Sequence, residues 1–243
     1  MLRQGQGLVG SLGYWVSKGT GGKETVIRPD YGSKPPSYFG HPRTEVLALL
    51  DGSESFPEAL EIGCGSGETL ALLLRSGKVG RAVGVEPVHQ AAVAAQEQLS
   101  LVLEVDVEEW ARHPTGVGRA GLVIAADVLE HLFDPWTLLK RIRQLQSIGG
   151  VLLLSIPNIQ HYTVSFALLA LGRWRYVDEG LLDRTHLRFF TRRGIHAMVV
   201  EAGYEVERWG FTAGPRGKLA VGLSGGMLRP WVAYQYLLRC KAV

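Results

Sequence analysis

Cysteine is scarce in this chain, with two residues in 243, Cys64 and Cys240. Neither has a partner at the spacing of a zinc site or a disulfide framework, so a metal-knitted or disulfide-stapled scaffold is excluded and a reducing compartment is expected. Long apolar runs are also missing. No stretch approaches the roughly 18 apolar residues that cross a bilayer, and the first residues offer Arg3 without the continuous apolar core of a signal peptide. A cytoplasmic protein with no transmembrane segment is the expectation. The third absence is an excess of one charge. The 26 Lys and Arg are interleaved with 23 Asp and Glu for a net +3, which leaves no basic stripe for nucleic acid. Hydrophobic residues make up 46% of the chain, enough to bury the core of one large α/β domain.

What the chain does have is glycine in a telling place. Ala59-Leu60-Glu61-Ile62-Gly63-Cys64-Gly65-Ser66-Gly67-Glu68 reads as the end of a buried strand, a glycine-dense turn and the start of a helix over 69–76. Glycines at 63, 65 and 67 let the backbone turn sharply and approach a ligand with no Cβ in the way, near the first turn of that helix. A dinucleotide fingerprint of the form G-x-G-x-x-G would put Glu68 where the third glycine belongs, so the spacing disfavours it. Acidic-x-Gly-x-Gly-x-Gly, from Glu61 to Gly67, fits instead, and its carboxylate suits a cationic, amine-bearing ligand better than a pyrophosphate. The motif taken alone leaves open a glycine turn in some other α/β protein.

With this motif the chain resembles the class I S-adenosylmethionine (SAM) dependent methyltransferases, and the resemblance extends over about residues 38–241. It implies SAM as cofactor and S-adenosylhomocysteine as product, with Glu61, Gly63, Cys64, Gly65 and Gly67 forming the binding loop. Arg81 to Pro87 reads as a second strand ending in an acid. Glu86 lies where a carboxylate can accept from both ribose hydroxyls, with Pro87 beside it. A third strand, 101–106, ends at Asp106; the matching family position holds the adenine amino group, with the Val107 N–H facing a ring nitrogen. The fourth strand, 121–125, runs into Asp127-Val128-Leu129-Glu130-His131, which resembles the fourth motif of quinone and small-molecule methyltransferases. There Asp127 and Val128 would form the floor beneath SAM and the following turn would face the acceptor. Tyr38 and Arg43, ahead of the first strand, are candidates to close over the cofactor.

Strands and helices alternate from Glu58 onward, which calls for a doubly wound, seven-stranded, mostly parallel sheet with helices on both faces and ligands at the strand carboxyl ends. Asp134-Pro135 caps a helix that Gly149-Gly150 is expected to stop before a fifth strand, 151–156. Residues 1–37, rich in Gly, Ser, Lys and Pro, are expected to be an irregular arm ahead of a domain over 38–243. Residues 159–190 interrupt the alternation as an insertion after strand five, with an apolar helix over 162–171, and are expected to form an acceptor lid. A sixth strand over 204–211 and an antiparallel seventh within 231–241 complete the count.

The resemblance implies methyl transfer to a small-molecule acceptor, an oxygen of a sugar, phenol, quinone or envelope intermediate. His131 is the first candidate base and His186 the second, with His161 behind them. No metal is assigned, although Asp127, Glu130 and His131 resemble a carboxylate and Glu-His metal arrangement of some quinone O-methyltransferases. A SAM-binding protein without turnover, an N-methyltransferase and a nucleotide-dependent oxidoreductase are the competing expectations.

Overall fold

The computed structural model describes residues 39–243, and before them the backbone of three short strands, β1 (Leu8–Val9), β2 (Trp15–Lys18) and β3 (Glu24–Val26). Two compact units are distinguished, residues 1–33 and 34–243. In the first, where the composition suggests an irregular arm, β1, β2 and β3 pair antiparallel in that order.

The second unit is a seven-stranded sheet in the order β6-β5-β4-β7-β8-β10-β9. β4 (Phe56–Ile62), β5 (Val79–Val85), β6 (Leu101–Leu103), β7 (Ala120–Ala126) and β8 (Gln146–Pro157) are parallel, and β10 (Gln235–Ala242) lies antiparallel between β8 and β9 (Tyr204–Thr212). Consecutive residues of the inner strands serve opposite layers, as the two-residue period of a strand requires. Leu60, Val123, Leu152 and Leu238 join one core with Leu138 and Ile142 of α5 (Pro135–Leu145) and Ile195 and Met198 of α7 (Arg192–Glu201). Ala59, Leu122, Leu153 and Leu237 join the other with Val46 of α1 (Thr44–Leu47) and Leu70 and Leu73 of α2 (Glu68–Arg75). α3 (His89–Gln96) covers the same side through Ala92 and Ala95, packed on Cys64.

Two boundaries differ from expectation for local reasons. α5 ends at Leu145 and β8 begins at once, so Gly149 and Gly150 sit in an irregularity within the strand, where pairing with β7 jumps from Ala120↔Gln146 to Leu122↔Val151. The glycines serve a bulge instead of a helix stop. The third strand ends at Leu103, three residues short, because Asp106 is the N-cap of α4 (Val107–Trp110), accepting from the N–H groups of Glu108 and Glu109 at 3.0 and 3.1 Å.

Beyond β8 the chain forms α6 (Tyr162–Leu171) and a loop that returns to the sheet, where Ile159 N–H donates to Phe190 O. α8 (Pro215–Leu223) and the short α9 (Arg229–Val232) join β9 to β10. Arg239 on β10 is buried, held bidentate by Glu54 at 2.7 and 2.9 Å and by Glu207 of β9 at 2.8 Å. A guanidinium taken from water needs that many acceptors.

Candidate active site

The glycine loop follows β4 at the carboxyl edge of the sheet, and its three glycines all take positive φ, 66°, 54° and 84° at Gly63, Gly65 and Gly67. The loop is packed tightly. A Cβ on Gly63 would meet the Val128 side chain at 2.7 Å, and one on Gly65 would lie 2.5 Å from the Phe39 carbonyl. That carbonyl also accepts from the N–H and hydroxyl of Ser66, so the segment entering the domain lies across the loop. The Cys64 side chain is turned away into the core against Gly84, Ala92 and Ala95, and burial pushes its thiol up. Only its backbone can serve a ligand.

Glu61 is 3% exposed and its Oε2 is without a hydrogen-bond partner among the described residues. Burial raises its carboxyl to about 8, opposed by the Thr69 hydroxyl, the charge of Arg43 and the Leu70 N–H. A buried acid at a glycine loop, with an unsatisfied oxygen, is fitted to a cationic group. Glu86, at the end of β5, is buried too. Its Oε2 accepts from Gly65 N–H and its Oε1 from Val88 N–H, each at 2.9 Å, and burial raises its carboxyl. It clamps the loop in shape and keeps lone pairs for further donors. Pro87 beside it is exposed, and Val107 behind Asp106 is buried. Tyr38 lies outside the described residues.

At the end of β7, Asp127 adopts φ 56°, the one positive φ of a non-glycine residue among those described, in a region Asp tolerates better than most. The turn places its carboxylate among three donors. Oδ1 accepts from the Ser155 hydroxyl and from Gln235 Nε2, both at 2.8 Å, and Oδ2 pairs with Arg43 at 2.9 Å. Arg43 is tied in turn by its N–H to the Thr69 hydroxyl. Nothing local in the sequence marks Ser155 or Gln235 as partners; Gln235 arrives only because β10 pairs beside β8.

The turn after Asp127 is a 3-10 helix, Leu129–His131. The insertion is clamped onto it: Leu187 and Arg188 N–H donate to the Glu130 carbonyl at 2.8 and 2.9 Å, and His131 Nδ1 meets the Thr185 carbonyl at 3.1 Å. That contact requires Nδ1 to carry the proton, which leaves Nε2 as the acceptor nitrogen. Burial, with His186 nearby, lowers His131 to about 4, so its imidazole is neutral near pH 7. The rings of His131 and His186 meet edge to face, centroids 4.8 Å apart. His161 plays a different part, capping α6 through Nδ1 and packing on Tyr234.

His131 and His186 line a cavity of about 340 Å³ together with His41, Arg43, Asp127, Glu130, Asp183 and Tyr234, and His161 is not among its lining residues. Within it one ligand atom each from Glu130, His131 and His186 lie within 4.8 Å of one another. Glu130 is 1% exposed, neither carboxylate oxygen has a hydrogen bond among the described residues, and burial and the charge of Asp127 raise its pKa well above the ordinary value. One carboxylate and two imidazoles could hold a transition-type divalent ion. No metal is assigned from the sequence, and this set differs from the Asp127, Glu130 and His131 arrangement that the resemblance suggests: Asp127 is engaged by Arg43, Ser155 and Gln235, and His186 is the third member instead.

A family model described as a methyltransferase domain matches residues 38–208. The chain is 32% identical over 174 residues to a ubiquinone biosynthesis O-methyltransferase of Azorhizobium caulinodans, covering 70% of this chain and 65% of that protein. It thus spans less than two thirds of that relative's length. Among solved structures, the N-methyltransferase NodS of Bradyrhizobium japonicum, in complex with S-adenosylhomocysteine, superposes with a TM-score of 0.54 at 15% identity, over 82% of this chain and 84% of that one. The [4+2]-cyclase SpnF superposes with a TM-score of 0.55 at 14% identity, over 82% and 80%. No helix of the described residues is long and apolar enough to cross a membrane. Matched by that family model over most of its length, and carrying the seven-stranded, mostly parallel sheet and the glycine loop expected of it, the chain belongs to the class I SAM-dependent methyltransferases, with SAM as its cofactor.

Proposed function

We propose that the enzyme methylates an oxygen of a small molecule seated in the cavity beside Asp127, with His131 taking the proton. SAM supplies a methyl group already activated by its sulfonium, so the chain's task is to align the acceptor and receive its proton. Glu61, the loop backbone, Glu86 and the Asp106-Val107 turn would hold the cofactor's amine, ribose and base. Arg43 and Asp127, locked to each other, would separate that half from the acceptor half. The carrying observation is the orientation of His131. With Nδ1 donating to Thr185, Nε2 is its acceptor nitrogen, and the residue lines a cavity of a size suited to a small molecule. The O-methyltransferase name of the Azorhizobium relative supports oxygen over nitrogen.

With a methylatable phenol or sugar in hand, His131→Ala should lower turnover by about 10²–10⁴-fold, the usual worth of a general base, while SAM affinity measured by calorimetry stays unchanged. Full turnover in that variant would remove the assignment.

A second reading rests on the clustering of Glu130, His131 and His186, together with the two oxygens of Glu130 that have no hydrogen-bond partner among the described residues. Those residues would hold a divalent ion that lowers the pKa of the acceptor hydroxyl. Chelation followed by metal-dependent recovery of activity, and a metal-dependent rise in Tm lost in Glu130→Gln, would favour the ion. Indifference to chelator would leave His131 as the base.

A further inference from the structure

Among the described residues, large apolar side chains are left in solvent chiefly on two neighbouring segments, α6 with the loop after it and α8 with α9. In α6 only Val164 is buried. Phe166, Leu168, Leu169 and Leu171 are all exposed, Leu169 at 79%. At about 100° per residue those four positions point around the whole circumference of the helix. A partner protein would cover one stripe of such a helix. The turn after it continues as Arg173-Trp174-Arg175-Tyr176, every residue exposed. On the other segment Leu219, Leu223, Met227, Leu228 and Trp231 are exposed, Leu223 at 81% and Met227 at 82%, beside exposed Arg216 and Lys218. The two segments are tied together: Asn158 Nδ2 donates to the Pro230 and Ala233 carbonyls, each at 2.8 Å, and His161 packs on Tyr234 with centroids 5.6 Å apart.

Charge is distributed to match. Acids nearly balance bases over the whole chain, yet no Asp or Glu occurs from 135 to 177 or from 208 to 243. The apolar face is therefore flanked by Arg173, Arg175, Arg216 and Lys218 with no acid within α6, the Arg173–Tyr176 turn, α8 or α9, and the first acids of the loop, Asp178 and Glu179, come only after that turn. Trp174, Tyr176 and Trp231, each part exposed, are the side chains that favour the boundary between hydrocarbon and water.

We propose that this face docks the enzyme on an anionic lipid surface, α6 lying in the headgroup boundary with its basic neighbours on the phosphates. Ten residues make a helix of about 15 Å, which can lie in one leaflet and cannot span. The cavity opens beside this face, since Glu179, Leu181 and Tyr234 line it and follow directly on the loop and on α9.

The test is flotation of the purified chain with vesicles of phosphatidylcholine, alone or mixed with phosphatidylglycerol, at low and high salt. No acceptor or turnover is involved, so its outcome is independent of which atom is methylated. The chain should rise with the phosphatidylglycerol vesicles and do so less at high salt. Leu169→Glu with Leu223→Glu should reduce recovery by about tenfold or more, as apolar burial drives insertion. Tm and SAM affinity should not move, because both side chains are exposed. Arg173→Glu with Arg175→Glu should erase the preference for anionic vesicles. Failure of the unmodified chain to float with anionic vesicles, or equal flotation of the leucine variant, would overturn the proposal. So would a concentration-dependent dimer, lost in that variant, in a protein that ignores vesicles, since the face would then belong to a second copy.

Discussion

Glu61 holds a proton that a bound cation should expel. Burial raises its carboxyl from the ordinary 4.5 to about 8, so between those values the native state keeps a proton that the unfolded chain releases. Stability from this group is full below about pH 4.5 and is lost as pH rises through about 8. Glu61→Gln should flatten that decline in urea denaturation of the ligand-free protein measured across the window. The ammonium of SAM favours the ionised carboxylate, so binding near pH 7 should release up to about one proton, seen by calorimetry in buffers of different ionisation heats. Glu61→Gln should bind without that release. Gly65 makes the second case at this scale. Its φ of 54° and the Phe39 carbonyl beside it mean that Gly65→Val strains the loop and pushes off the entry segment, and SAM binding by calorimetry should be abolished. The sequence pointed to both residues, because an acid and three glycines at fixed spacing are a local pattern. It did not show that Gly65 makes room for the protein's own Phe39 carbonyl, or that Glu86 holds the loop by its Gly65 amide, since both contacts join residues more than 20 apart.

Elements were legible where local chemistry alone decides them. Asp134-Pro135 starts α5 and Thr191 caps α7 as their residue types require. Asp106 was read as the end of a strand although Asp106-Val107-Glu108-Glu109 is also a helix start, and the cap won because the N–H groups of Glu108 and Glu109 need an acceptor. Asp106→Ala should therefore cost about 1 kcal/mol in chemical denaturation, the usual worth of an N-cap. If Asp106 also meets the adenine amine, the same variant should weaken SAM binding; Asp106→Asn, which can still cap and accept, should be near normal in both. The acceptor cavity was the least legible part. His131 and His186 are 55 residues apart, and only the clamp of Leu187 and Arg188 on the Glu130 carbonyl brings their rings together.

At the scale of the molecule, the seventh strand decides the shape of the site. β10 lies inside the sheet, its Tyr236, Leu238 and Cys240 fully buried, and it delivers Gln235 to Asp127 and Arg239 to Glu54 and Glu207. Leu238→Ala should destabilise the domain by about 2–5 kcal/mol in urea denaturation, the range for a cavity in a close-packed core. Its effect on SAM affinity at saturating stability should be small, because the cofactor loop belongs to β4 and β5 at the other end of the sheet order. The alternation of strands and helices gave away the parallel part of this sheet, whereas the place of β10 between β8 and β9 rests on pairing that no local pattern encodes. On the ribosome this order of assembly matters. β8 has one edge without a neighbour until residues 235–242 have been made, and until then a long, apolar, hydrogen-bond-hungry edge is on offer to any passing chain. Slow synthesis or a pause before residue 235 should thus favour aggregation of the nascent protein and its capture by chaperones that shield strand edges.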